Sequence, residues 1–165
     1  MAIDVKVLTR TAVLLALTIG FQALGLSQPI TGPIVNAVLF VSTGITGGLS
    51  GTIIAAVTPW VAYVVGLNKF APAVPVIMAG NVSLVLVFAA LSRVNRYLAA
   101  GSAGVVKWLV MTVGIKYLVA QKLKVPAPVV TSLTIMQLWT ALGGAVLGLL
   151  VMASLRSWER RSRKA

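Results

Sequence analysis

The chain has 165 residues, 59% hydrophobic and 10% charged, a net charge of +12 and a mean hydropathy of +1.01. A soluble domain of this length cannot hide so much apolar surface, so lipid is its expected solvent and an integral membrane protein its class. The absence of cysteine and histidine excludes disulfides and removes the usual ligands of zinc, haem and copper, so no cofactor is expected.

The two acidic residues, Asp4 and Glu159, both sit in polar flanks. The apolar runs therefore lack the carboxylate on which proton- and sodium-coupled carriers usually depend. There is no carboxylate pair for acid–base chemistry, no nucleophile–base pair and no GxxxxGK[ST] phosphate loop, so an enzyme is not expected. The basic residues cluster at the ends of apolar runs. That is the pattern of membrane topology and contact with anionic lipid, not of nucleic-acid binding.

Six spans are expected, at about 9–26, 33–46, 51–66, 74–91, 104–120 and 129–155, forming one domain over 1–165. The basic lead and first run also have the layout of a signal peptide, with Ala23-Leu24-Gly25 as its cleavage site. Five further spans favour a retained first helix. Wound as a helix, that run aligns Thr9, Ala12, Ala16, Gly20 and Ala23 on one stripe of small residues. In lipid such a face admits close approach by another helix, either a partner's or one of this chain's own.

Residues 27–33 read as a turn, with Pro33 in the first turn of the second span. A Gly-rich link precedes the third span, residues 66–75 form a loop, and the small-residue stretch 99–103 reads as a linker before the fifth span. The sixth span contains the GxxxG pair Gly144 and Gly148 and runs into a basic tail. Lys6, Arg10, Arg93, Arg96, Arg156, Arg160, Arg161, Arg163 and Lys164 fall on one side, against Lys69, Lys122 and Lys124 on the other. Both termini are therefore expected in the cytoplasm.

With that topology, polar residues gather in the outer half. Gln22, Asn36, Trp60, Tyr63, Asn81, Lys116, Tyr117 and Gln137 all fall there, as do the seven prolines, including the mid-helix Pro59. The inner half is mostly apolar, apart from Lys107 and a few hydroxyls. The expected shape is a cup that opens outward and is closed below; a channel needs polar groups right across. With Lys116 facing the cup and Lys69 at its mouth, the ligand would be a small anion, and Trp60, Tyr63 and Tyr117 could stack on a ring. Each residue also has a plainer reading. The aromatics suit an interfacial belt, Lys116 can snorkel along its own helix, and Asn81 and Gln137 can bond between helices.

Ala12-x-x-x-Ala16, the chain length, six spans with both ends inside and the GITGGLSG link into the third span resemble one family. It is the substrate-binding S component of energy-coupling factor transporters, the bacterial and archaeal importers of vitamins and other micronutrients. The resemblance implies a multi-pass protein of a prokaryotic plasma membrane. Ala12 and Ala16, with Gly20 on the same stripe, would contact a transmembrane coupling subunit joined to two cytosolic ATPases. A vitamin-like molecule would enter from outside under gates at 27–32, including Gln28, and 67–72, including Lys69. Toppling of the subunit would then deliver it inward. No residue set ties the chain to one vitamin subgroup. The competing expectations are a self-sufficient facilitator or channel, oligomerising through Gly144 and Gly148, and an accessory subunit without a ligand.

Overall fold

The computed structural model describes residues 4–162, except for the side chain of Glu159. Arg163 and Lys164, two of the basic residues used for topology, lie outside the described residues. Among the described residues seven helices follow in order: α1 (Val5–Ala23), α2 (Gln28–Thr46), α3 (Gly48–Val64), α4 (Ala73–Leu91), α5 (Arg96–Ala120), α6 (Ala127–Leu133) and α7 (Ile135–Ser162). No strand occurs among the described residues. Counting α6 and α7 as one stretch, five helices are long and apolar enough to cross a membrane, as in a multi-pass membrane protein; α3, at 17 residues, is apolar but shorter.

Two helix starts and one internal break differ most from the sequence-based spans. Residues 28–32, expected in a turn, form the first turns of α2; Pro29 sits where its missing N–H costs nothing, and Pro33 lies inside the helix. The small-residue stretch 99–103, expected as a linker, is helical, because α5 begins at Arg96. Asn95 caps it by accepting from the Tyr97 and Leu98 N–H groups at 2.9 and 3.1 Å. Ala is the strongest helix former, and Ala99, Ala100 and Ala103 are fully buried here, so this stretch is a packing surface. The sixth span is broken at Thr134 (φ −118°, ψ −86°), which separates α6 from α7.

α2 and α7 run parallel in a constant register. Gly32 lies against Thr140, Gly144 against Asn36, Gly148 against Phe40 and Gly44 against Met152. Each step advances four residues on both helices, and each contact has glycine on one side, so the two backbones approach closely. A Cβ at Gly144 would lie 2.8 Å from the Pro33 carbonyl and 3.0 Å from the Ala37 nitrogen. The GxxxG pair is thus used inside the bundle, and the expectation of an oligomerisation face there is corrected.

A smaller buried cluster, Ala73, Met111, Ile115 and Leu133, joins α4, α5 and α6 in one half of the bundle, and a larger one fills the other half, which contains the α2–α3 and α4–α5 connections. Leu39, Phe40, Ile54, Leu84, Val85, Phe88 and Ala103 are fully buried in this larger cluster, with the Phe40 and Phe88 rings edge to face at 5.0 Å. Hydroxyls buried in this half are satisfied locally. Ser42 and Thr43 donate to the Leu39 carbonyl at 2.9 and 2.7 Å, and Thr11 donates to Ser50 at 2.8 Å, tying α1 to α3.

Candidate functional site

The opposite half of the bundle encloses a cavity of about 570 Å³. Its rim comes from the α1–α2, α3–α4 and α5–α6 connections, with Leu26, Asn68, Lys69 and Pro126 among the lining residues. Local bonds shape the rim at the α3–α4 connection. The Leu67 and Asn68 N–H groups donate to the Ala62 carbonyl, and Asn68 Oδ1 accepts from the Phe70 N–H at 3.2 Å. The wall below combines Gln22 from α1, Gln28 and Val35 from α2, Pro59 and Ala62 from α3, and Gln137 from α7.

At the floor, α2, α4 and α5 each contribute one polar side chain. The Lys107 ammonium donates to Asn36 Oδ1 at 2.5 Å and to Asn81 Oδ1 at 2.7 Å. All three residues line the cavity and are at most 3% exposed. Lysine is donor-only, so it fixes both amides with oxygen inward and leaves their NH₂ groups as donors. An ammonium has three N–H bonds, and these two contacts leave one over. One helical turn beneath the three residues lie Phe40, Val85 and Ala103, all in the buried apolar cluster. The cavity is therefore a cup, polar at its base and closed below it.

Lys107 is the residue that sequence reasoning missed. A fifth span beginning at 104 puts it near the membrane edge, whereas a helix from Arg96 puts it near the midpoint. The same shift acts on Asn36, which lies eight residues into α2 and not at its start. Lys116, the lysine expected in the cup, does not line it and is exposed. Nine residues separate it from Lys107, which at about 100° per residue turns it roughly 180° around α5.

The aromatic residues also lie outside the cavity. Trp60, Tyr63 and Tyr117 are 48, 39 and 62% exposed, and the Trp60 indole N–H is directed to Met78 Sδ at 3.3 Å. On α3 it is Pro59 and Ala62, three residues apart, that face inward; Trp60 and Tyr63 each follow one residue later, about 100° further round. Among the predicted residues, the structure brings together Gln22, Gln28, Asn36, Lys69, Asn81 and Gln137, and leaves out Trp60, Tyr63, Lys116 and Tyr117.

Among the described residues, four buried side-chain polar atoms have no hydrogen-bond partner: Gln22 Oε1, Asn68 Nδ2, Thr112 Oγ1 and Gln137 Oε1. Gln22, Asn68 and Gln137 line the cavity. Buried polar atoms are normally bonded, so three orphans around one cavity mark a place where a polar molecule fits.

The small-residue stripe of α1 has a different setting. Ala12, Ala16 and Gly20 are exposed, and no atom lies within 4 Å of a Cβ placed on Gly20. α1 packs on the bundle through Thr11, Leu14, Leu15 and Thr18, about 100° round the helix from the stripe. Internal packing of the stripe is thereby excluded. Val13, Leu17, Phe21 and Leu24 wall a shallow groove that includes Ala16 and Gly20. No family model, curated protein or solved structure matches the chain.

Proposed function

We propose that this chain is the substrate-binding subunit of an ATP-driven importer, of the energy-coupling factor type, in a prokaryotic plasma membrane. It captures a small vitamin-like molecule in the cup, with both termini and the closed half toward the cytoplasm. The cup carries this reading: a vitamin-sized cavity with a polar floor, ended by packed apolar side chains, suits capture and holding better than conduction. The chain has no carboxylate in its apolar runs and no phosphate loop, so the energy would come from a transmembrane coupling subunit and two cytosolic ATPases. The exposed groove over Ala16 and Gly20 offers the coupling subunit a smooth apolar face. Lys69, at the rim, and Gln28, at the first residue of α2 just below it, would close over the bound molecule.

Native mass spectrometry of the gently purified chain tests the capture step. One small molecule retained per chain is the expected result; a chain recovered without any bound molecule contradicts it. Replacing Ala16 by Trp tests the docking step, with uptake lost in cells and the bound molecule retained after purification. Loss of the bound molecule instead would contradict docking at this face.

A further inference from the structure

The polar groups of the cup are sorted by chemistry along its depth. At the floor every group left over is a donor: the third N–H of the Lys107 ammonium and the NH₂ groups of Asn36 and Asn81. Both acids of the chain lie in its polar flanks, and among the described residues the hydrogen-bond partners of Lys107 Nζ are two neutral amide oxygens. Protonated, Lys107 is a buried cation held by neutral groups alone, and such a cation has most to gain from an anion. Higher on the wall the buried unmatched atoms of Gln137 and Gln22 are acceptor oxygens, and at the rim Asn68 Nδ2 is an unmatched donor. Gln137 is 4% exposed, so leaving its oxygen unpaired is costly, and turning the terminal amide toward a donor on a bound molecule relieves that cost.

The register of α2 against α7 sets the distance between the two zones. Asn36 pairs with Gly144 in that register, and Gln137 lies seven residues before Gly144 on α7. At the helical rise this is about 10 Å toward the mouth. Lys69, exposed at the rim, adds a positive potential that draws anions inward.

Building on the binding-subunit reading, we propose that the molecule held in the cup is an elongated organic anion. Its carboxylate or phosphate sits on Lys107 between Asn36 and Asn81, and N–H or O–H groups about 10 Å away donate to Gln137 and Gln22. Small neutral or cationic molecules and simple fatty acids, which lack one end or the other of this pattern, are excluded.

The molecule that co-purifies with the full chain in lipid nanodiscs decides this. It is to be extracted, weighed in both ion polarities and counted for exchangeable hydrogens in D₂O. The expected result is an acid with at least one exchangeable N–H or O–H beyond the acid group. Its occupancy should fall at least 30-fold in Lys107→Met and 5- to 10-fold in Gln137→Leu. Lys107→Gln, which can still donate to the asparagine oxygens, separates loss of charge from loss of folding, and should also lose at least 30-fold with an unchanged unfolding temperature. A neutral or cationic molecule, an acid without further exchangeable hydrogens, or full occupancy in Lys107→Gln would overturn the inference and leave the binding-subunit reading intact. An empty wild-type cup would overturn both.

Discussion

The two halves of this bundle use similar helices for opposite ends. In the closed half, buried hydroxyls are bonded to their own helix or a neighbour and the space between helices is filled by Leu39, Phe40, Leu84 and Phe88. In the cup half, the helices stand around a cavity of about 570 Å³, and three buried polar atoms of its lining residues have no partner among the described residues. A closed half with everything satisfied provides rigidity; an open half with groups left over provides specificity. The boundary is the level of Asn36, Asn81 and Lys107. These three side chains are held by the same close packing that seals the core one turn below them.

Removing the charge at the boundary should disturb the cup most. Lys107→Met should reduce retention of the co-purifying molecule at least 30-fold, because a charge-assisted contact in a buried site is worth about 2–5 kcal/mol when truncated. Lys116→Met, on the opposite face of α5, should leave it within twofold. Native mass spectrometry reads both, and equal losses would contradict the assignment.

Next in size is a disturbance of the closed half alone. Phe88→Ala removes one ring of the edge-to-face pair and should cost about 3–5 kcal/mol of stability, seen as a lower unfolding temperature in detergent. The fraction that remains folded should still retain the molecule. Gly144→Ala links the halves. The added methyl meets the Asn36 Cβ and the α2 backbone, so it should cost about 1–3 kcal/mol and also weaken retention by displacing Asn36. A change in stability with retention unaltered would show that the register does not set the floor.

The smallest effects are expected at the aromatics. Trp60→Phe and Tyr117→Phe alter exposed side chains outside the cavity, and retention of the molecule should stay within twofold. A tenfold loss would restore them to the site.

Much of this arrangement was legible in the sequence. The apolar runs, the link-side clustering of Gln22, Gln28, Lys69 and Gln137, and the two faces of α1 follow from hydropathy and the 3.6-residue repeat. The floor was not legible because it depends on where two helices begin. Ala-, Gly- and Ser-rich stretches read alike as linker or as tightly packed helix, and only their burial against neighbours separates the two; residues 99–103 are of the second kind. Starting α5 eight residues earlier and α2 five residues earlier brings Lys107 and Asn36 to one level. The facing of the aromatics was likewise hidden. α3 is apolar nearly all round, so its composition does not say whether Pro59 or Trp60 points inward.

The cup is proposed to hold one small molecule through Lys107. The most direct measurement is the stoichiometry of bound small molecule in native mass spectra of three proteins purified side by side: wild type, Lys107→Gln and Lys116→Met. One molecule per chain in wild type and Lys116→Met, and at least 30-fold less in Lys107→Gln, is the predicted result. An empty wild type, or a Lys107→Gln chain as fully occupied as wild type, would contradict it.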